Sequence, residues 1–236
     1  VLECRVSAGT SYSLAITDEK TAEQFRFSLP GERLTEHEGT MLLDQISCAV
    51  PANGFVVLSG GAANGLADNY SQEVQDVVSR RNGRLVVDTS KAPLLRLIDA
   101  PVAPLDVLRL DRSEIEKAVA KPIQSISANL AFTEELVQRG VARIVVTGHG
   151  AEGSVMVAGT EKFFCHAPKV RVRSKIGAGD ALVGAFTFSL SRGNQPEQAL
   201  KWGVAAAAAT VGTEGTALCD LAETEALLPQ CRLERY

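Results

Sequence analysis

The sequence lacks three features that would each indicate a particular class of partner or site. It has no apolar run of about 18 residues, the length that a membrane-spanning helix needs, so we expect no membrane partner. Its formal net charge at pH 7 is −4, which gives no electrostatic support for binding to nucleic acid. Its three histidines are scattered and only His166 adjoins a cysteine, so their spacing gives no support for a His/Cys metal cluster.

Cysteine is scarce, and its spacing excludes a disulfide framework. The five cysteines lie at positions 4, 48, 165, 219 and 231, with no C-x-x-C pair among them. An odd number of scattered cysteines is typical of reduced thiols in a cytosolic protein, and it favours neither a disulfide frame nor a zinc site. We therefore expect a cytoplasmic location.

What is present suits one folded domain with a sizeable core. Hydrophobic residues make up 45% of the 236 residues and charged residues 22%, close to the globular average. Apolar residues alternate with small or polar ones over residues 12–16 and 25–29, on either side of the turn Asp18-Glu19-Lys20. This period of two predicts a β hairpin. The segment Thr35-Glu36-His37-Glu38 then has the form of a helix capping box.

From residue 54 onward, short β-branched runs alternate with helical patterns, which predicts a largely parallel sheet covered on both faces. The predicted strands are Phe55–Leu58, Arg84–Val87, Leu105–Leu108 and Arg143–Val146. The predicted helices between them are Asp68–Arg80, Ala92–Ile98, Ser113–Ala120 and Ser125–Arg139. A second hairpin is expected over Ser154–Phe164, followed by helices over Ala181–Ser191, Pro196–Val211 and Glu223–Leu228.

The turn Gly177-Ala178-Gly179-Asp180 is the most informative motif of the chain. It lies between a predicted basic strand, Lys169–Arg173, and the apolar helical run that starts at Ala181. Backbone N–H groups at a helix start suit a phosphate, and Asp180 adds a carboxylate that can accept a proton from an attacking hydroxyl. This combination suggests phosphoryl transfer. Taken alone, the four residues equally fit a turn that only permits close packing.

Three further polar segments follow predicted strands. They are Asp88–Ser90, Arg109–Glu114 and the glycine-rich stretch Thr147–Gly153. Each could be an ordinary loop. Because ligands of open α/β sheets bind at the carboxyl ends of the strands, their coincidence with the Gly177–Asp180 turn favours a nucleotide site.

Several motifs, in this order along the chain, resemble the ribokinase-like, PfkB-type carbohydrate kinases, and particularly their phosphofructokinase branch. They are residues 25–31 (FRFSLPG), 58–61 (LSGG), 87–90 (VDTS), 145–147 (VVT) with the glycines after them, 177–180 (GAGD) and 203–206 (GVAA) leading into Gly215-Thr216. The resemblance implies a three-layer α/β/α sandwich with a mostly parallel central sheet and a small β lid. Residues 1–31 would belong to the lid and its connection, and residues 32–236 to the nucleotide-binding and catalytic core.

The resemblance also implies roles for individual residues. Asp180 would be the general base, and Gly177, Ala178 and Gly179 would supply N–H groups to the transferred phosphoryl group. On the ATP side the implied residues are Arg109, Asp111, Thr147, Gly150, Gly153, Lys175 and, facing adenine, Ala208. Glu114 would organise Mg²⁺ mostly through water, which suits the reluctance of that ion to lose its hydration shell.

The sequence departs from the family pattern at several positions. Asp111 stands where the family has Asn, and it would repel phosphate that an amide would bind. Arg109 replaces a lysine that is frequent in the family. Lys175 replaces a small hydroxyl residue, and this replacement puts a monovalent-cation site at that loop in doubt. Gly61 replaces a serine that touches the sugar phosphate in phosphofructokinases.

The implied activity is ATP-dependent phosphorylation of a sugar phosphate, most like 6-phosphofructokinase. The alternatives are 1-phosphofructokinase and tagatose-6-phosphate kinase or, in another class, a nucleotide-binding protein without catalysis. The family's sugar-binding segment precedes the hairpin, and this sequence starts near the hairpin. We interpret the sequence as part of a longer protein, the alternative being a truncated relative. A homodimer through the lid is also implied, and edge-strand pairing is its simplest physical rationale.

Overall fold

The computed structural model describes residues 2–18, 20–21, 23–61 and 63–236, and these residues form two sheets and eight α-helices. The strands are β1 (Tyr12–Thr17), β2 (Gln24–Leu29), β3 (Phe55–Ser59), β4 (Arg84–Asp88), β5 (Leu105–Leu110), β6 (Ala142–Gly148), β7 (Gly153–Ala158), β8 (Glu161–His166) and β9 (Arg232–Arg235). The helices are α1 (Glu36–Ala49), α2 (Tyr70–Ser79), α3 (Lys91–Asp99), α4 (Arg112–Val119), α5 (Ile126–Gln138), α6 (Ala178–Ser191), α7 (Pro196–Val211) and α8 (Leu221–Leu227).

The central sheet has seven strands in the order β3-β4-β5-β6-β7-β8-β9. Strands β3 to β6 are parallel, and the three pairs from β6 to β9 are antiparallel. Successive residues of β4 face opposite sides of the sheet. Leu85 and Val87 pack with helices α2 and α3, whereas Val86 packs with α6 and α7. Because both faces are covered, the strand is continuously apolar, and the predicted three-layer α/β arrangement is confirmed.

The first two strands form a separate antiparallel hairpin, as the alternation predicts. Glu19 of the expected turn lies outside the described residues. The register places six apolar side chains on one face, opposite each other in the pairs Tyr12 and Leu29, Leu14 and Phe27, and Ile16 and Phe25. Each of these six residues is at least 50% exposed. The other face carries polar residues, including Gln24 and Arg26.

The capping box predicted at the start of α1 is confirmed. The Thr35 hydroxyl accepts a hydrogen bond from the Glu38 N–H at 3.2 Å, and the Glu38 carboxylate accepts from the Thr35 N–H at 2.7 Å. The second hairpin is also confirmed, since β7 and β8 turn at Gly159 and Thr160. Among the described helices, none combines the length and the apolar character needed to cross a membrane.

One predicted strand is wrong, and one observed strand was not predicted. Within the described residues, the segment 169–173 pairs with no strand, and its backbone is tied to the end of α7 by a 2.8 Å bond from the Arg173 N–H to the Val211 carbonyl. Val172 is exposed, so the alternation of valine with basic residues marks an extended surface segment. Strand β9, which pairs with β8, has only one apolar residue among Arg-Leu-Glu-Arg, too few to produce a strand pattern.

Candidate active site

A cavity of about 430 Å³ opens at the carboxyl ends of β3, β4 and β5, beneath the hairpin. The start of α6 forms one wall, and the segment that joins β5 to α4 forms another. Of the residues predicted from the sequence, the cavity brings together Arg109, Asp111, Glu114, Lys175, Gly177, Gly179 and Asp180. The chain therefore folds so that residues from three predicted segments share one site.

The start of α6 presents backbone donors and a carboxylate to this cavity. Gly177 is the N-cap and has a φ of +78°, a left-handed conformation that favours glycine. The first helical hydrogen bond runs from the Ala181 N–H to the Gly177 carbonyl at 2.8 Å. The N–H groups of residues 178–180 therefore have no partner within the helix. The Asp180 carboxylate accepts a hydrogen bond from the Ser59 hydroxyl at 3.0 Å. This contact joins α6 to the end of β3.

The segment that leads into α6 is held by a serine that the sequence analysis missed. Ser174 is buried, and its hydroxyl donates to the Gly215 carbonyl at 2.7 Å and accepts from the Ile176 N–H at 3.2 Å. These bonds fix the backbone just before the Gly177 turn. Lys175 remains exposed on the cavity wall.

Arg109 lies at the centre of the charged groups. Its Nη1 atom is 3.3 and 3.4 Å from the two carboxylate oxygens of Asp88, and its Nη2 atom is 3.9 Å from Asp111. The guanidinium packs against Gly179 so closely that a Cβ there would lie 2.6 Å from Nη1. Its Nε atom is buried and makes no hydrogen bond within the described residues. Arg109 therefore places positive charge directly beside the start of α6.

Carboxylates outnumber cationic side chains around the cavity. Burial raises the pKa of Asp88, Arg109 opposes this rise, and the negative charges of Asp180 and Asp111 add to it. The pKa of Glu114 is also raised, again mainly by burial, although the bond from the Asp111 N–H opposes the rise. Neighbouring carboxylates thus raise the cost of ionising Asp88 and Glu114, and a cation in the cavity would relieve that cost.

The donor set suits a hard divalent cation, since carboxylate oxygens are the ligands that Mg²⁺ prefers. Among the described residues, no three acidic, histidine or cysteine side chains are close enough to hold a metal directly.

The glycine-rich segment after β6 does not line this cavity. Thr147 is fully buried, and its hydroxyl bonds to Asn129 at 2.8 Å and to Thr133 at 2.9 Å, so its side chain supports the fold. Gly153 has a φ of +141°, and a Cβ there would lie 1.9 Å from the Cys165 carbonyl oxygen, which explains the glycine structurally. Gly150 lies beside Arg112, with a φ of +66°. These residues therefore lie outside the lining of this cavity, and their expected place along the ATP phosphates and ribose stays a prediction.

Three other predicted residues also lie outside the cavity lining. Gly61 follows the lining residues Ser59 and Gly60 but is not part of the wall. Ala208 is buried in α7, with 6% of its surface exposed. Ala178 is half-buried at the start of α6 and contributes only backbone to this region.

The hairpin contributes two lining residues that were not predicted. The Gln24 side chain donates to the Ser174 hydroxyl at 3.4 Å, and Arg26 Nε donates to the Ser13 hydroxyl at 3.0 Å. Arg26 lies within the motif Phe25–Gly31, so the resemblance carried a signal for it. Gln24 had no such signal, because its role depends on a partner 150 residues away.

Comparison with known proteins identifies the family of this chain. A family model described as pfkB family carbohydrate kinase matches residues 3–223. The ATP-dependent 6-phosphofructokinase isozyme 2 of Mycobacterium tuberculosis is 34% identical over 221 residues, which cover 93% of this chain and 64% of that protein. The 1-phosphofructokinase of Xanthomonas campestris is 30% identical over 187 residues, covering 79% of this chain and 58% of the relative.

The fold is shared with solved phosphofructokinases. The structure of phosphofructokinase-2 from Escherichia coli in complex with potassium superposes with a TM-score of 0.85 at 25% identity, covering 94% of this chain and 72% of the other. The chain thus spans just under two thirds of the length of its mycobacterial relative, and the match extends along almost all of its own length. The chain belongs to the pfkB family of carbohydrate kinases.

Proposed function

We propose that the protein is an ATP-dependent kinase that phosphorylates a hydroxyl of a sugar phosphate, most like 6-phosphofructokinase. The observation that carries the proposal is the cavity in which Asp180, the start of α6 and Arg109 converge. The names of the relatives, 6-phosphofructokinase and 1-phosphofructokinase, support the same substrate class. Fructose 6-phosphate is the first candidate acceptor, followed by fructose 1-phosphate and tagatose 6-phosphate.

In the proposed reaction the sugar hydroxyl oxygen attacks the γ-phosphorus of ATP, and the bond to the β–γ bridging oxygen breaks to release ADP. Asp180 takes the hydroxyl proton, and Ser59 holds the carboxylate in position. The N–H groups of Gly177, Ala178 and Gly179, together with Arg109, stabilise negative charge on the transferred group.

Mg²⁺ would neutralise phosphate charge at this site. Glu114 is the residue proposed to hold it, mostly through water, because its carboxylate lines the cavity. Asp111, which also lines the cavity, is proposed to lie beside the ATP phosphates. Lys175 is proposed to contact ATP phosphate. A monovalent cation is a further candidate, because a solved relative is described as a complex with potassium.

The nucleotide is proposed to extend from the cavity toward the loop of residues 147–153, with Gly150 and Gly153 near its phosphates and ribose and Ala208 near adenine. Although this loop is outside the cavity wall, a Cβ built on Gly148 would lie 3.5 Å from Asp111 Oδ1, so the loop borders the site. Gly61 is proposed to lie on the sugar side, next to the lining residue Gly60.

Residues 1–31 are proposed to be part of a lid and its connection to a core formed by residues 32–236. The hairpin face that bears Tyr12, Leu14 and Phe27 is apolar and exposed, and we propose that a second copy of the protein covers it. Sedimentation should give a dimer for the wild type and a monomer for Phe27→Asp, and a wild-type monomer would contradict the proposal. The five cysteines, all among the described residues, are free thiols, which supports a cytoplasmic location.

The activity is tested by mixing the full-length protein with MgATP and each of the three sugar phosphates. We expect a phosphorylated product from at least one, and none from all three would overturn the proposal. Asp180→Asn should reduce kcat by roughly 10³-fold and leave the Kd for ATP nearly unchanged. Asp220→Asn is a matched control, because Asp220 caps α8 away from the cavity and accepts the Glu223 N–H at 2.8 Å.

A nucleotide-binding protein without catalysis is the second candidate. The Asp111 carboxylate in the cavity favours it, because this group would repel phosphate that an amide would bind. Calorimetric binding of ATP without turnover on any sugar would support this alternative.

A further inference from the structure

A buried polar cluster connects α5 to the loop of residues 147–153. Its members are Asn129 and Thr133 on α5, Thr147 at the end of β6 and His149 in the loop, and each is at most 2% exposed. Asn129 is the hub. Its side chain contacts the Thr147 hydroxyl at 2.8 Å, the Gly148 carbonyl at 3.2 Å and His149 Nδ1 at 3.3 Å.

The direction of these hydrogen bonds follows from the chemistry of the groups. The Gly148 carbonyl can only accept, so the Asn129 amide must direct its NH₂ group toward the loop. The second hydrogen of that NH₂ group then points to His149 Nδ1, which must accept. His149 is therefore the neutral tautomer with its proton on Nε2, the atom that lies 3.6 Å from Glu152. The Asn129 carbonyl oxygen accepts from the Thr147 hydroxyl.

The same loop is closed by backbone bonds at its other end. The His149 N–H donates to the Gly153 carbonyl at 2.8 Å, and the Ala167 N–H donates to the Glu152 carbonyl at 2.9 Å. Asn129 thus acts on the side of the loop that faces α5, at Gly148 and His149. Gly148 is also the residue that borders Asp111 at the cavity. Gly148 therefore lies between Asn129 and the cavity edge, and a change at Asn129 would act on that edge through the Gly148 peptide.

Four buried polar side chains are costly unless every group is paired, and an apolar contact between α5 and the loop would avoid that cost. The residues beside the cluster are apolar: Leu130 of α5 packs with Val155 and Phe164. In place of a further apolar contact, Asn129 makes bonds that specify one loop conformation and one histidine tautomer.

We infer that Asn129 is a positioning residue that sets the conformation of the 147–153 loop and, through it, the affinity for the nucleotide. The claim about nucleotide affinity rests on the proposed function, whereas the claim about loop conformation is independent of it. Asn129 touches no reacting atom. Its effect should therefore appear in ATP binding and not in the chemical step.

The first test compares Asn129→Leu with the control Gln75→Leu in the full-length protein. Gln75 is also buried and hydrogen-bonded, to Ser79 on the remote helix α2. We expect Asn129→Leu to raise the Kd for MgATP about tenfold, with kcat at saturating ATP and the KM for the sugar phosphate within twofold of wild type. Gln75→Leu should leave all three constants unchanged. Equal effects of both variants, or an unchanged Kd in Asn129→Leu, would overturn the inference.

The second test needs no nucleotide, so its result is independent of the proposed activity. In ¹⁵N NMR spectra the wild-type His149 ring should show the neutral form with the proton on Nε2. Asn129→Asp replaces the NH₂ donor with an acceptor, so His149 should then carry a proton on Nδ1. Amide hydrogen exchange at residues 148–150 should accelerate in Asn129→Leu and remain unchanged in Gln75→Leu. An unchanged tautomer in Asn129→Asp, or unchanged exchange in Asn129→Leu, would contradict the loop-positioning role.

Discussion

Helices α1 and α4 both begin with a capping box, but the pKa values of the carboxylates in the two boxes are shifted in opposite directions. At the start of α1, Glu38 accepts from the Thr35 N–H and also from the Ser7 N–H, and these bonds lower its pKa to about 2. At the start of α4, Glu114 accepts from the Asp111 N–H at 2.9 Å, yet burial raises its pKa above the ordinary value. The difference lies in the surroundings: Glu114 faces Asp88 and Asp111, whereas Glu38 is surrounded by donors.

The carboxylate of a helix cap can stabilise the fold or be available to a ligand. The carboxylate of Glu38 is stabilised in its charged form by the fold, so it contributes to stability. The carboxylate of Glu114 is destabilised in its charged form by burial and by neighbouring carboxylates. Such a carboxylate is suited to binding a positively charged ligand. The following predictions test this contrast, from the largest expected change in turnover to the smallest.

Of these four changes, Gly179→Ala should have the largest effect, because it displaces the cation that offsets the acidic groups. The new Cβ would lie 2.6 Å from Arg109 Nη1, so the guanidinium must move away from Asp88. We expect kcat/KM to fall roughly 10²-fold. Gly184→Ala on the same helix is the control, because a Cβ there meets open space. Similar kinetics in the two variants would show that the position of Arg109 is unimportant.

Glu114→Gln should reduce turnover roughly tenfold and raise the Mg²⁺ concentration needed for half-maximal rate. Glutamine can still accept the Asp111 N–H, so the helix cap is retained. Because the fold disfavours the charged carboxylate, we expect no loss of Tm. Titration of the rate with Mg²⁺ and a thermal melt check the two parts. A lower Tm with an unchanged Mg²⁺ requirement would assign Glu114 a purely structural role.

Asp111→Asn should strengthen ATP binding modestly. Removing one negative charge reduces repulsion of phosphate, and the amide remains a helix-capping group. We expect the KM for ATP to fall about threefold, the size of effect typical of an exposed charge. Initial rates at varied ATP concentration measure it. A higher KM would indicate that Asp111 is needed for the metal.

Glu38→Gln should leave turnover unchanged and lower the Tm at pH 7. The folded pKa of about 2 lies below the ordinary value of 4.5, so the stabilisation is fully present above pH 4.5 and is lost as the pH falls toward 2. The Tm difference between wild type and variant should therefore shrink across that window. Melts at a series of pH values check this, and a difference that grows in acid would contradict the assigned pKa.

Much of the fold could be predicted from sequence because its central strands are buried on both faces. Arg84–Asp88 and Leu105–Leu110 contain short apolar runs that alternate with helical patterns, and the capping box Thr35–Glu38 can be recognised from the sequence alone. Strand β9 could not be predicted, since its assignment depends on pairing with β8 and not on its own residues. The error at Lys169–Arg173 has the converse cause: a strand-like alternation occurs where no neighbouring strand is available in the described structure.

The site was predictable where a local motif carries it and unpredictable where distant side chains meet. Gly177–Asp180 was identified from four consecutive residues, and the cavity includes Gly177, Gly179 and Asp180. The bond between Ser59 and Asp180 joins residues 121 positions apart, and no local pattern encodes it. The sequence correctly predicts that Thr147 lies near the end of a strand. Its hydroxyl, however, donates a hydrogen bond to Asn129, and only the tertiary structure shows this partner.

The two faces of strand β2 have different surroundings. Gln24 and Arg26 line the cavity, and their immediate neighbours Phe25 and Phe27 lie on the exposed apolar face. Because adjacent residues of one strand face opposite ways, a ligand held by one face and a protein surface bound to the other must share the same backbone position. In the proposed dimer, any shift of the hairpin on ligand binding would also move the apolar face, and each binding equilibrium would then change the constant of the other by the same factor.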